Sequence, residues 1–353
     1  MDGADAVLIQ MQGKQWQRAV AHSFLPYSDG LRQELLALQD IGENELHRSN
    51  ILAQTLSRLY TQTVQQLLTK QNLSAKDITA IGCHGQTIRH APEHGYSIQL
   101  VNLSLLAELT GIFTVGDFRS RDLACNGQGA PLVPAFHEAL FRDANETRAV
   151  LNIGGISNIS ILPPDSPSFG FDTGPGNMLM DAWMQHIWQQ PYDKNGEKAA
   201  QGEILPDLLA SLLDHPYFSR SYPKSTGREL FSLSWLQGCL KGNEKPEDVM
   251  RTLVFYTAQT IFNATKQAAP AIHHLYICGG GIRNPVLMHD LEALLSPDTQ
   301  LHSTAKLHLD PQWVEAAAFA WLAACWCNQV PSNPHHATGA HSHRILGSGH
   351  YGN

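Results

Sequence analysis

Residues 148–183 read RAVLNIGGISNISILPPDSPSFGFDTGPGNMLMDAW, and this stretch decides the fold. Two apolar, β-rich runs, Ala149 to Ile153 and Asn158 to Leu162, flank the pair Gly154 and Gly155. Such a pair of runs around a glycine turn is typical of a β-hairpin. Because a turn without side chains leaves backbone N–H groups open, this hairpin is a candidate phosphate-binding turn.

A second glycine turn follows a proline-rich loop. The segment Gly170 to Asn177 places Asp172 at the end of a predicted strand, followed by Gly174 and Gly176, and a helix is expected over Met178 to Trp188. A carboxylate beside a turn that can approach a ligand closely is a candidate general base. Two ordinary turns with a capping aspartate are the alternative interpretation of both glycine segments.

Length and charge restrict the class of protein. A chain of 353 residues exceeds the size at which a single core usually stops growing, so two domains are expected. We place the boundary near Asn145, with domains at 1–145 and 146–353. The 24 basic and 32 acidic side chains give a net charge of −8, which offers no basic surface for nucleic acid or an anionic membrane.

The six cysteines indicate a reducing compartment. They lack the paired spacing of a zinc site and accompany no signal peptide, which predicts free thiols in the cytoplasm. No run of about 18 apolar residues occurs, so no membrane span is expected. Walker A and G-x-G-x-x-G patterns are absent, which argues against a P-loop or Rossmann nucleotide site.

The first domain offers two candidate binding segments. A long amphipathic helix is predicted over Glu45 to Lys70, and a short strand over Ile78 to Ile81 precedes the segment Gly82 to Thr87. Strand ends of α/β sheets carry ligands, so His84 is either a sugar contact or proton shuttle, or a histidine satisfied by its neighbours.

The second segment follows a predicted strand from Ile112 to Val115. It contains two aspartates and two arginines within six residues, Asp117 to Asp122. Either this is a solvated ion-pair cluster, or a guanidinium group there recognises an anionic substrate group.

The second domain ends with a third glycine turn and an apolar helix. A strand over His274 to Cys278 leads into Gly279 to Gly281, where a phosphate or flat ring can approach the backbone. The predicted helix 311–326 carries Glu315 in its first turn, where the helix dipole favours an acid. The histidine-rich stretch from His335 onward is expected to be a polar tail without a metal site.

Several segments together resemble the anhydro-N-acetylmuramic acid kinase family of the actin-like ATPase and sugar kinase superfamily. The resemblance spans nearly the whole chain. The segments that carry it are Asp2 to Asp5, Gly82 to His90, Gly116 to Asp122, Gln128 to His137, Asn152 to Asn158, Gly170 to Trp183, Lys224 to Glu229, Cys278 to Asn284, Thr338 to Ala340 and Arg344 to Gly347.

The resemblance implies an α/β fold with two domains around a cleft, with the C-terminal helix packing near it. It implies ATP and magnesium, and 1,6-anhydro-N-acetylmuramic acid as the substrate. In such enzymes ATP phosphorylates the 6-oxygen while water opens the anhydro bridge, which gives N-acetylmuramic acid 6-phosphate and ADP in peptidoglycan recycling. Relatives suggest a cytoplasmic homodimer.

Matching by motif assigns roles to single residues. The resemblance makes Asp172 the base, and His84, Asp117, Arg121 and Glu315 the sugar contacts. The arginine would meet the lactyl carboxylate. The nucleotide side would comprise Asp2, Gly3, Asp5, Asn152, Gly154, Gly155, Gly174, Gly176, Asn177, Gly279, Gly280, Gly281 and Asn284. No metal ligand is assigned.

The chain departs from the family at its start. Family members carry a first strand ending in Gly-Thr-Ser before the Asp-Gly-x-Asp motif, whereas this chain begins at the methionine that would follow that serine. The resemblance therefore predicts a missing first strand, through a misassigned start codon or through a truncation that would inactivate the enzyme. Another sugar kinase of the superfamily and a non-catalytic, ATP-gated scaffold are the alternative functions.

Overall fold

The computed structural model describes residues 3–222, 224–227, 230–268, 271–295 and 297–352. The chain forms two compact units. The first ends at Phe136 and resumes at Trp313, whereas the second comprises His137–Gln312. The sequence predicts a boundary near Asn145, whereas this division separates Phe136 from His137 and assigns the segment from Trp313 onward to the first unit.

The first unit begins with strands and helices that alternate irregularly along the chain. The strands are β1 (Gly3–Gln12), β2 (Gln15–Pro26), β3 (Ile81–Gly82), β4 (Gln86–Ala91), β5 (Tyr96–Leu100) and β6 (Thr114–Gly116). The helices are α1 (Asp29–Ala37), α2 (Glu45–Lys70), α3 (Leu103–Thr110), α4 (Ser120–Leu123) and α5 (Val133–Phe141), the last of which contains the unit boundary.

The hydrophobic pattern of α2 explains its place in the first unit. Leu52 and Leu56 lie four residues apart on one face, as helical periodicity requires, and both are buried in a cluster with Leu35 and Leu100. The pairs β1–β2 and β4–β5 are antiparallel. β1 thus finds its partner in the strand that follows it.

The predicted strand from Ile78 to Ile81 is mostly wrong. The structure has only Ile81 and Gly82 in β3, because a short 3-10 turn, Ala75–Asp77, precedes them. Ser74 closes this turn by donating its hydroxyl and its N–H to the Asp77 carboxylate, at 2.7 and 2.8 Å. A cap of this kind competes with strand formation.

The second unit is built on a five-stranded sheet. Its strands are β7 (Arg148–Ile153), β8 (Ile156–Leu162), β9 (Phe169–Pro175), β10 (His274–Cys278) and β11 (Gln300–Ser303). Its helices are α6 (Met178–Trp188), α7 (Pro206–Leu213), α8 (Leu233–Cys239), α9 (Pro246–Ala268) and α10 (Pro285–Leu294). The strand order is β11-β10-β7-β8-β9, which leaves β9 at one edge.

Two kinds of pairing meet in this sheet. β11, β10 and β7 are parallel, whereas β8 and β9 run antiparallel to their neighbours. The predicted hairpin around Gly154 and Gly155 is confirmed, as is the helix from Met178 to Trp188. Val150 and Leu151 are fully buried, as expected for strands with covered faces.

The end of the chain completes the first unit with α11 (Val314–Cys327), α12 (His335–Thr338) and β12 (Ser348–His350). β12 pairs antiparallel with β6, which in turn pairs with β3. The expected polar tail is wrong, because Thr338 and Leu346 are buried at 1% and 0% exposure. Its histidine-rich composition conceals these inward-facing positions.

The α/β fold class predicted from the sequence is confirmed. All six cysteines are free thiols, as expected. Within the described part of the chain, no helix has the length and apolarity needed to cross a membrane.

Candidate active site

Backbone hydrogen bonds join the first two glycine turns of the second unit. Gly176 and Met178 donate their N–H groups to the Gly155 carbonyl, at 2.9 and 3.1 Å, and Asn177 donates to Gly154 at 2.8 Å. A side chain at Gly176 would overlap the Gly154 carbonyl oxygen. Gly176 is therefore the residue that allows the two turns to approach each other this closely.

The third glycine turn joins the same group. Gly279 has a φ of +83°, and a Cβ atom there would collide with the Asn152 side chain. Its N–H donates to the Pro311 carbonyl at 3.0 Å. The Asn177 amide lies between the turns, because it donates to the Ile153 carbonyl at 3.3 Å and would be 3.6 Å from a Cβ atom on Gly280.

These turns leave backbone donors available to a ligand. Gly155 and Gly280 are both exposed, and the N–H group of neither donates to an acceptor within the described residues. Open N–H groups on converging turns are suited to an anion such as a phosphate. Asn284 has a different local role, since its side-chain oxygen caps α10 by accepting from Val286 and Leu287 at 3.1 and 3.2 Å.

Asp172 lies within β9, not at its end as the sequence predicted. Its carboxylate oxygen Oδ2 accepts the N–H of Thr226 at 2.9 Å. Its main chain is held as well, because the Asp172 N–H donates to the Lys224 carbonyl at 3.0 Å and the Tyr217 hydroxyl donates to the Asp172 carbonyl at 2.6 Å. The side chain is half-buried, which suits a base that must meet a substrate.

Two titratable side chains near Asp172, those of Tyr217 and Lys224, have shifted pKa values. Burial raises the pKa of Tyr217, and the neighbouring charge of Asp172 raises it further. Burial lowers the pKa of Lys224, and Arg220 adds to this effect. The ammonium group of Lys224 lies 5.0 Å from the ring centre of Tyr217. The Tyr217 hydroxyl is therefore protonated at neutral pH and acts as a donor.

A second group of polar side chains lies in the first unit. His84 donates from Nδ1 to the Gly85 carbonyl at 2.9 Å and accepts at Nε2 from the Arg119 guanidinium at 2.8 and 3.1 Å. Arg119 also donates to the Gly129 carbonyl at 2.7 Å. Burial, aided by the Arg119 charge, lowers the pKa of His84 to about 3, so the imidazole is neutral. It contacts the Phe319 ring at 4.3 Å between centroids.

Glu315 lies close enough to Arg119 for the two charges to interact. Desolvation raises the pKa of Glu315, and the nearby Arg119 charge opposes that rise. Its side chain still has an exposed surface, so a ligand can reach it. Burial correspondingly lowers the pKa of Arg119, and Glu315 counteracts this shift.

The remaining predicted residues form no hydrogen bond with these groups in the described part of the chain, although the charge of Asp5 adds to the raised pKa of Glu315. Asp117 is exposed, with its carboxylate accepting the Ser120 hydroxyl at 2.5 Å, and Arg121 is exposed on α4. Gly3 and Asp5 are in β1, where Asp5 pairs with His22 at 2.7 Å. Asp2 lies outside the described residues.

Sequence reasoning missed two residues that the structure brings into these groups. Arg119, rather than Arg121, contacts His84. The charged cluster signalled an arginine there but not which one. Tyr217 contacts Asp172 across 45 residues of chain, and no motif marked it.

The predicted absence of a dedicated metal cluster remains a prediction. In the ranges that the structure describes, no group of three or more His, Cys, Asp or Glu side chains is arranged to hold a metal ion.

Comparisons with known proteins agree with the resemblance seen in the sequence. The family model of anhydro-N-acetylmuramic acid kinase matches residues 1–352. A curated protein of that name from Neisseria meningitidis serogroup C (strain 053442) is 70% identical over 351 residues, which cover 99% of this chain and 96% of the relative. Relatives of the same name from Nitrosomonas europaea and Pseudomonas syringae pv. tomato are each 50% identical, with 99% of this chain covered in both. The chain belongs to the anhydro-N-acetylmuramic acid kinase family.

Proposed function

We propose that this kinase phosphorylates the 6-oxygen of 1,6-anhydro-N-acetylmuramic acid with ATP while water opens the anhydro bridge. The products are N-acetylmuramic acid 6-phosphate and ADP. The observation that carries the proposal is the combination, within the second unit, of three converging glycine turns and one aspartate held by three hydrogen bonds, one to its carboxylate and two to its main chain. Family membership supports the choice of substrate.

Asp172 is the general base of this proposal. It takes one proton from the water that attacks the anomeric carbon, and the bond between that carbon and the bridging oxygen breaks. The released 6-oxygen then forms its bond to the γ-phosphorus, and ADP leaves. The fixed position of Oδ2 against the Thr226 N–H supports this role, because a base must be oriented before it meets the water.

The nucleotide would bind to the turns of the second unit. Asn152, Gly154–Gly155 and Gly174–Asn177 would face the phosphates, and Gly279–Gly281 with Asn284 would meet the adenosine. The open N–H group of Gly155 fits its assignment to the phosphates, since it can donate to an oxyanion. We assign ATP as its magnesium complex. Asp2, Gly3 and Asp5 stay candidates for the nucleotide side.

The sugar would be recognised by groups of the first unit. His84, Glu315 and Arg121 are retained as its contacts, with Asp117 as a further candidate. His84 adds no charge to this group, because burial keeps its imidazole neutral, and its Nε2 orients the Arg119 guanidinium. Arg119 is a second candidate for the lactyl carboxylate, because its guanidinium is buried beside a neutral imidazole.

The cellular setting follows from the substrate. Anhydro sugars arise when peptidoglycan is turned over, so we assign the enzyme to peptidoglycan recycling in the cytoplasm, as a homodimer. The six free cysteines and the net charge of −8 support a reducing compartment and argue against nucleic acid as a partner.

Replacement of the base tests the mechanism. Asp172→Asn should reduce turnover by about 100- to 10,000-fold, because the amide cannot accept the proton. ATP binding, measured by calorimetry, should not change. Asp214→Asn is the matched control, since Asp214 is an exposed carboxylate of the same unit. Near-normal turnover of the Asp172 variant would exclude Asp172 as the base.

Oxygen-18 water separates this reaction from the alternatives. The proposed enzyme places the label on the anomeric hydroxyl and releases one ADP for each opened sugar. An ordinary sugar kinase deprotonates a hydroxyl and incorporates no water. A scaffold that only hydrolyses ATP would place the label in inorganic phosphate, with or without sugar.

A further inference from the structure

A single segment holds Asp172 against the open edge of the sheet. β9 is an edge strand of the five-stranded sheet, so its outer main-chain groups have no strand to pair with. A covering segment, described at 217–222 and 224–226, supplies hydrogen-bond partners there instead. It accepts the Asp172 N–H at Lys224, donates the Thr226 N–H to the carboxylate, and donates the Tyr217 hydroxyl to the Asp172 carbonyl.

The pairing of β9 with β8 is irregular at this residue. Asn158 faces Asp172, whereas the preceding Ser157 faces Gly174, so Thr173 is an extra residue in β9. A bulge of this kind turns the neighbouring side chain out of its regular direction. The direction of the Asp172 carboxylate therefore depends on what holds the main chain beside the bulge.

Tyr217 is suited to hold it. The side chain is fully buried, and its ring contacts Phe218 and Phe231 edge-on at 5.5 and 5.7 Å between centroids. A ring packed in this way has little rotational freedom, so its hydroxyl is fixed in space. The bond to the Asp172 carbonyl measures 2.6 Å, which is short for a hydroxyl donor.

We propose that Tyr217 is a positioning residue for catalysis, because its hydroxyl fixes the main chain of Asp172 beside the bulge and so aims the carboxylate at the water. The inference rests on the proposed role of Asp172 as the base. The one hydroxyl hydrogen of Tyr217 is engaged by the Asp172 carbonyl, so the proposed effect passes through Asp172.

Tyr217→Phe isolates the hydroxyl, because the variant keeps the packed ring. The matched control is Tyr256→Phe. Tyr256 is also fully buried in the second unit, but its hydroxyl has no partner among the described residues. We expect kcat of the Tyr217 variant to fall about 3- to 30-fold, since small misplacements of a catalytic group cost up to about 100-fold. KM values for ATP and sugar should stay within about twofold of the control.

Stability must be separated from positioning. Both variants are assayed about 15 °C below the lower melting temperature, so that each is folded during the measurement. Equal kcat values for the two variants at saturating substrates would overturn the inference. A change that appears only in KM would overturn it as well, because a misoriented base slows the chemical step and so lowers kcat.

A double variant distinguishes failure of the inference from failure of the proposed function. In the Asp172→Asn background, Tyr217→Phe should change the residual turnover less than twofold, since no base remains to be aimed. A loss of the same size in both backgrounds would reveal a structural role and contradict the inference. If Asp172→Asn alone turns over normally, the proposed base itself is wrong, whatever Tyr217 does.

Discussion

Gly176→Ala should loosen the nucleotide side of the second unit. The added methyl group would overlap the Gly154 carbonyl oxygen, so the two glycine turns must separate. Three backbone hydrogen bonds, at 2.8 to 3.1 Å, now join these turns. Losing two or three of them costs about 2–3 kcal/mol, at about 1 kcal/mol each.

This cost has a measurable size. For a unit of this length, about 1 kcal/mol corresponds to about 2–4 °C in melting temperature, so the transition of the second unit should fall by about 4–12 °C. The turns also carry the open N–H group of Gly155, and their displacement should weaken ATP binding about tenfold or more, which corresponds to about 1.4 kcal/mol. Calorimetry gives the ATP affinity, and differential scanning gives the melting temperature.

Gly238→Ala is the control for this substitution. Gly238 lies in α8 of the same unit, and a Cβ atom there meets nothing within 4 Å. Alanine should leave stability unchanged or raise it by up to about 1 kcal/mol, because it favours a helix over glycine. If Gly176→Ala and the control had the same melting temperature and the same ATP affinity, the close approach of the turns would not matter for nucleotide binding.

Two further predictions concern the first unit. The pKa of His84 is about 3 in the folded protein and near 6.5 in the unfolded chain. The buried, neutral imidazole therefore contributes stability above pH 6.5, and this contribution is lost as the pH falls toward 3. The free energy of unfolding, measured with urea, should therefore fall between pH 6.5 and pH 4. This fall should be shallower in His84→Gln, by up to about 1.4 kcal/mol per pH unit. Parallel curves for the two proteins would contradict the prediction. Thr338→Val should destabilise the unit by about 1.5–3 kcal/mol, because the Thr338 hydroxyl donates at 2.9 Å to the buried Asp122 carboxylate. The exposed Thr55→Val, measured in the same way, should change stability by less than about 0.5 kcal/mol.

Three elements with strong local signals were predicted at their true bounds, whereas the helix predicted over 311–326 is Val314–Cys327 and the strand predicted over Ile112 to Val115 is Thr114–Gly116. The helices Glu45–Lys70 and Met178–Trp188 agree with the periodicity of their apolar residues, and the strand His274–Cys278 precedes the glycines that end it. The glycine turns could be recognised for the same reason, because glycine occurs where the backbone must turn tightly or approach another group closely.

Contacts between distant residues could not be predicted. Which of Arg119 and Arg121 turns inward depends on where α4 lies against His84, and both have the same chemistry in the sequence. Asp172 was expected at a strand end, because the bulge at Thr173 and the covering segment at Tyr217 leave no local trace. Pairing in sheets depends on partners, so sequence pattern alone specifies it weakly.

Asp122 shows how the segment after α11 supports the group formed by Arg119 and His84 in the first unit. Its carboxylate is fully buried, and Oδ1 accepts from Asn333 at 3.1 Å and from Thr338 at 2.9 Å. Oδ2 accepts the N–H of Gly129 at 2.8 Å, and the carbonyl of the same Gly129 accepts from Arg119. Removing one donor from a buried carboxylate strongly destabilises the folded protein. Asn333 and Thr338 therefore fix the Asp122 carboxylate, and Asp122 in turn holds Gly129 through its N–H. The segment around Asn333 and Thr338 thereby sets the position of Arg119, and through it that of His84, although more than 200 residues separate it from both.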